Sequence, residues 1–175
     1  MRETLLETPR FRVERRRYAG EDGRPIERYI VVHPGAVVIL PLLDDGRVVL
    51  IRQRREGVEA DLWELPAGTL EPDEDPKEAA RRELEEETGF AAGRIDPLAF
   101  FYTSPGICTE RMHAYVARGL SPGPQRLDRG ECIRPVPLPL VEVRRMMREG
   151  AIEDGKTLAV LGLYFLENPS PSSAV

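Results

Sequence analysis

The chain has 175 residues, 41% of them apolar, with a net charge of −5 and two cysteines. That is enough for one well-buried domain plus an appendage, and two cysteines make no disulfide framework. No apolar run reaches the roughly 18 residues of a membrane span, and the N-terminal MRETLLETPRFRVERRR has acids and no continuous apolar core, so a cytoplasmic protein with no membrane partner is expected.

Phe11 to Tyr18 and Glu27 to Val32 read as strands around the turn Gly20-Glu21-Asp22-Gly23. They make a β-rich unit over residues 1–33 that is too small to be stable alone. Arg10 to Arg17 is locally basic, but it alternates like a strand and has no aromatic stacking platform, so no nucleic-acid partner is expected. Ala36 to Leu40 and Arg47 to Arg52 are apolar strands flanking Asp44-Asp45-Gly46, and Leu62-Trp63-Glu64-Leu65-Pro66 leads into the stretch Gly68 to Phe90. Within it, Asp75 is placed to cap a helix and Pro76 to occupy its first position. Glu78 falls where a capping-box carboxylate reaches back, and Gly89 supplies a left-handed stop.

Leu98 to Thr103 and Met112 to Ala117 form another strand pair, separated by Ser104-Pro105-Gly106. Residues 118–131, rich in Gly, Pro and Arg, read as a mobile loop. Leu140 to Glu149 has helical periodicity ending at Gly150, and Thr157 to Leu166 is an apolar helix. The expected division is an N-terminal unit over 1–33, a main domain over 34–168 and a disordered tail over 169–175.

At 100° per residue, Glu83 and Glu87 project on the same side of the first helix as Ala79, Ala80 and Leu84, whereas Lys77, Glu78, Arg81 and Glu85 lie largely opposite. A glutamate run is ordinarily a solvated surface, but that reading poorly explains acids crowded on the packing side. Like charges four residues apart cost a bare helix about 0.2–0.5 kcal/mol, a sign that a divalent cation reverses. Carboxylates at i, i+3 and i+4 can converge on a hard ion such as Mg²⁺ or Mn²⁺.

Gly68, five residues, Glu74, seven residues, then Arg82-Glu83-Leu84-x-Glu86-Glu87-x-Gly89-Phe90 resembles the Nudix box of Nudix hydrolases, with every defined position filled. The resemblance implies an α/β fold, a Nudix-type α/β/α sandwich with a mixed sheet, here carrying a small N-terminal β unit. It also implies Mg²⁺ or Mn²⁺ held by Glu83, Glu86, Glu87 and the Ala67 carbonyl, with Arg82 orienting the acids. Gly68 is expected to let its loop turn.

Three further segments resemble the ADP-ribose pyrophosphatase subfamily: Ser104-Pro105-Gly106 with Glu110, Glu27 to Ala36, and Gly150 to Thr157. This likeness implies hydrolysis of ADP-ribose to AMP and ribose 5-phosphate by a homodimer with swapped N-terminal units. Arg28, with Tyr29 or Tyr18, would reach the partner's adenine pocket. Arg55 would contact the diphosphate, although Arg52 and Arg54 lie close by. Ala67, Gly68, Ser104, Gly106 and Glu110 complete the implied substrate site. Glu131 is the implied loop carboxylate that takes the proton or aims the water, with Asp128 in reserve, and the stretch around it is poorer in acid than the subfamily's. FAD, a nucleotide sugar or a diadenosine polyphosphate are alternative substrates, and a non-catalytic nucleotide sensor is a second class of function. His33 and His113 read as structural, and no covalent nucleophile is required.

Overall fold

The computed structural model describes residues 1–128 and 130–169, so all but Pro169 of the expected C-terminal tail lies outside the described residues. The architecture grows from β4 (Ala36–Pro41), a continuous apolar run whose six residues are all buried. A strand buried on both faces needs cover on each side. Val37 and Ile39 face α1 (Pro76–Thr88), meeting Ala79, Ala80 and Leu84. Ala36, Val38 and Leu40 face the opposite core, which is closed by Val143 and Met146 of α2 (Leu140–Arg148) and by Val160 and Leu161 of α3 (Gly155–Glu167). This is the expected α/β/α arrangement.

The central sheet has four strands in the order β7 (Ala67–Thr69), β4, β9 (Arg111–Pro122), β8 (Phe90–Tyr102). β4 and β9 run parallel and the other pairs antiparallel, so the sheet is mixed. A second, antiparallel sheet has the order β10 (Ile133–Pro139), β5 (Arg47–Arg55), β6 (Ala60–Glu64). The third sheet is the N-terminal unit, β1 (Arg2–Glu7), β2 (Arg12–Ala19) and β3 (Pro25–Val32). It is tied to the body where Val31 donates its N–H to the Ile107 carbonyl at 2.8 Å and accepts from the Thr109 N–H at 2.9 Å.

The arginines of β2 are largely neutralised within this third sheet. Arg12 and Arg16 hold Glu14 from both sides at 2.8 Å each, and Arg17 meets Glu27 at 2.7 Å. Arg15 pairs with Glu3. The basic run is therefore a charge ladder rather than a bare cationic patch.

Several boundaries differ from those expected. Glu78 does not close a capping box: its carboxylate turns to Arg81, and Asp75 alone accepts the Lys77 and Glu78 N–H groups. The expected mobile loop over residues 118–131 is not borne out as a whole, because β9 continues through Pro122, and Gln125 and Arg126 are anchored to α1, the Gln125 amide donating to the Glu87 carbonyl at 2.6 Å and the Arg126 N–H to the Glu86 carbonyl at 3.0 Å. β10, Ile-Arg-Pro-Val-Pro-Leu-Pro, is a strand despite its prolines. They recur at every second position on an edge strand, which turns their missing donors away from β5.

Candidate active site

α1 delivers the acids, and its boundaries follow from local chemistry. Asp75 caps the N-terminus with Pro76 beside it, and Gly89 ends the helix at φ 72°, a conformation that costs glycine nothing. The phase this fixes carries Glu87 into the protein, where it is only 3% exposed. Its carboxylate accepts the Ala67 N–H at 2.9 Å. Desolvation outweighs that bond and, with the neighbouring Glu83 and Glu131 charges, pushes Glu87 up to about 8. Burial raises Glu83 as well, against the lowering effect of Arg82.

Arg82 organises the other acids. Its Nε and Nη2 donate to the two oxygens of Glu74 at 2.9 Å each, a bidentate pair, while Nη1 donates to Glu83 at 2.7 Å and Glu86 at 3.1 Å. Gly68 lies directly against this cluster. A Cβ at that position would overlap the Glu83 carboxylate, so Gly68 is required for space; its φ is not in the left-handed region, contrary to the turn role expected for it. Across the pocket stand Glu131 and Asp128 from the loop after β9, joined by the Asp128 N–H donating to Glu131 at 3.1 Å.

The residues present suit a hard divalent cation. The donors are carboxylate oxygens, and burial, reinforced by the neighbouring acids, raises the proton affinity of Glu83 and Glu87, a cost that a bound cation would offset. Among the described residues no three acidic, His or Cys side chains stand at metal-ligating spacing. The Glu83 and Glu86 oxygens are instead hydrogen-bonded by the Arg82 Nη1.

A larger cleft of about 610 Å³ adjoins the acid pocket and shares Arg55, Ala67, Gly68 and Thr69 with it. Ser104, Glu110, Phe101, Tyr102 and Lys156 line its far parts. Of the three neighbouring arginines, Arg55 lines both cavities; Arg52 lies over the Trp63 ring at 5.1 Å and Arg54 lies 3.9 Å from Glu56. Arg55 is held by Glu64, fork to fork, with two bonds of 2.7 Å. Glu64 is fully buried and also meets Lys156, which bonds Asp154 at 2.9 Å. Burial pushes the Glu64 carboxyl up, yet the Arg55 and Lys156 contacts prevail and leave it lowered.

Glu64, Asp154 and Lys156 join the candidate site beyond the residues that the sequence points to. A lone acid inside the apolar run Leu62-Trp63-Glu64-Leu65-Pro66 was the available signal, because a buried carboxylate demands a cation. Gly106 stays in the turn, where the Ile107 and Cys108 N–H groups donate to the Ser104 carbonyl at 3.0 and 2.8 Å. Glu110 accepts from the Thr103 hydroxyl at 2.7 Å and faces His33 Nε2 at 3.7 Å. Arg28 and Tyr29 are exposed on β3 and line neither cavity of their own chain. His33 Nδ1 accepts the Gly35 N–H at 3.1 Å, and His113 is lowered by burial and then by Arg111; neither lines the acid pocket.

The profile of the NUDIX domain matches residues 32–161. A methanol dehydrogenase activator of Bacillus methanolicus is 39% identical over 148 residues, 83% of this chain and 79% of that one. The ADP-ribose pyrophosphatase of Bacillus subtilis (strain 168) is 37% identical over 138 residues, 78% of this chain and 75% of that one. A crystal structure of an ADP compounds hydrolase superposes with a TM-score of 0.84 at 26% identity, covering 97% of this chain and 94% of the other.

Proposed function

The chain belongs to the NUDIX family and is a pyrophosphohydrolase, and from that membership we propose that its substrate is ADP-ribose, cleaved to AMP and ribose 5-phosphate. The observation that carries this reading is the junction of two cavities at Arg55, Ala67, Gly68 and Thr69: an acid pocket on one side and a nucleotide-sized cleft on the other. A diphosphate lying across that junction would place its bridging oxygen beside the acids and its organic ends in the cleft.

Glu83, Glu86 and Glu87, with the Ala67 carbonyl, would hold Mg²⁺ or Mn²⁺. When bound, the ions neutralise the diphosphate and acidify the attacking water. Arg82 keeps Glu83 and Glu86 in register by hydrogen bonds, and Arg55, locked by Glu64, presents its remaining guanidinium edge to the phosphates. Glu131, facing the box acids, takes the proton as a water oxygen bonds to one phosphorus and the bridging oxygen leaves with the other phosphate.

The N-terminal sheet serves as the dimerisation unit in this reading. Exposed Leu5, Leu6, Phe11, Tyr18 and Tyr29 support it, since so many large apolar side chains on one small sheet call for a partner surface. Arg28 and Tyr29 would then act in the partner's cleft.

The test is a panel of ADP-ribose, FAD, a nucleotide sugar and a diadenosine polyphosphate with Mg²⁺, scored for released mononucleotide. ADP-ribose is expected to give the highest kcat/KM. Turnover of another member with none of ADP-ribose would overturn the substrate assignment, and failure on all four would favour a nucleotide sensor.

A further inference from the structure

The tip of the β1–β2 hairpin reaches the acid pocket of its own chain. Three hydrogen bonds tie the tip together: the Thr8 N–H and hydroxyl donate to the Phe11 carbonyl at 3.0 and 2.6 Å, and the Phe11 N–H returns to the Thr8 hydroxyl at 3.0 Å. Pro9 fixes a further backbone angle within it. A turn so constrained presents Arg10 at its apex, and Arg10 lines the same pocket as Glu83, Glu87 and Glu131.

Three arginines line that pocket, and their engagements differ. Arg82 is committed to Glu74, Glu83 and Glu86, and Arg55 is forked onto Glu64. The other β2-side arginines, Arg12, Arg15, Arg16 and Arg17, are paired inside the N-terminal sheet. Among the described residues Arg10 forms no salt bridge, although six acids share the pocket with it. A free guanidinium at the mouth of an acid pocket is available to an incoming anion.

We propose that Arg10 is a substrate-binding residue that grips a phosphate of the diphosphate and so makes the N-terminal sheet part of the active site of its own chain. The proposal rests on the pyrophosphohydrolase reading and goes beyond it, because that reading assigns the sheet only to dimerisation and to the partner's adenine. The guanidinium fork would donate two N–H groups to phosphate oxygens in the pocket, oxygens that the acids repel in the absence of a cation. Loss of the sheet would then weaken the diphosphate grip even where the NUDIX domain remains folded.

The test is calorimetric titration of methylenediphosphonate, a diphosphate that cannot be cleaved, into the full chain in Mg²⁺. It compares wild type, Arg10→Ala, Arg10→Lys and the control Arg24→Ala, which lies in the other hairpin of the sheet. A charge-assisted hydrogen bond predicts that Arg10→Ala raises the Kd about ten- to a hundredfold, that Arg10→Lys recovers part of this, and that Arg24→Ala changes nothing. Equal affinity in Arg10→Ala and wild type, or no binding to wild type, overturns the assignment. Since no turnover is involved, this result is separable from failure of ADP-ribose as the substrate.

Discussion

Gly68 and Glu87 set the character of the site at the scale of single residues. Because a Cβ at position 68 would collide with the Glu83 carboxylate, Gly68→Ala must displace that acid or the β7 backbone. We expect a loss of about 1–3 kcal/mol of stability, as for overpacking elsewhere, and a fall in kcat of at least about tenfold, read by urea unfolding and steady-state kinetics. Glu87 behaves in the opposite sense. Its charged form is disfavoured by burial, so Glu87→Gln is expected to remain folded, with a Tm at neutral pH in chelator no lower than that of wild type, while Mg²⁺-dependent hydrolysis is lost. A variant that unfolds, or one that keeps wild-type kcat, would remove Glu87 from the role given to it.

Elements differ in how fully their sequences disclose them. α1 was legible to the residue, because Asp75, Pro76 and Gly89 act locally and the apolar phase of Ala79, Ala80 and Leu84 fixes its buried face. Replacing Gly89 by Ala forces a left-handed φ on a residue with a Cβ and sets that Cβ 2.7 Å from the Gly123 carbonyl; a loss of about 1–3 kcal/mol is expected in denaturant unfolding. β1 and β10 leave little trace in the sequence for physical reasons. β1 is exposed along its length and has no buried face to impose a pattern, and the prolines of β10 conform to the ladder only because its outer edge is free. The α1 acids proposed to hold the metal share that legible face, and Glu64 leaves a local trace as a lone acid in an apolar run, whereas Arg10 and Lys156 come to the two cavities through long-range packing that no local pattern encodes.

The Glu64 network joins β5, β6 and α3 and makes a prediction about pH. Its folded carboxyl is lowered from the ordinary value of 4.5, so its contribution to stability is complete above that value and disappears as pH falls through the folded one. Glu64→Gln should therefore cost about 1–3 kcal/mol at pH 7, since it removes the carboxylate shared by Arg55, which is partly solvated, and Lys156, which keeps Asp154. The gap from wild type should narrow in acid below 4.5. Urea titrations of both proteins at pH 7 and in acid measure it, and an equal gap at both would contradict the network's role.

The three sheets and three helices of the described residues place an acid pocket where the NUDIX domain and the N-terminal hairpin meet. No helix of the described residues is long and apolar enough to cross a membrane. The N-terminal sheet leaves Leu5, Leu6, Tyr18 and Tyr29 exposed, and the expected outcome of sedimentation at micromolar concentration is a dimer that dissociates when residues 1–33 are removed. A monomeric full chain would refute that assembly. The proposed grip of α1 carboxylates on a hard cation is open to titration with Mn²⁺, followed by its paramagnetic resonance signal. Wild type should take up Mn²⁺, with affinity reduced at least about tenfold in Glu87→Gln; equal uptake by both proteins, or none by wild type, would contradict it.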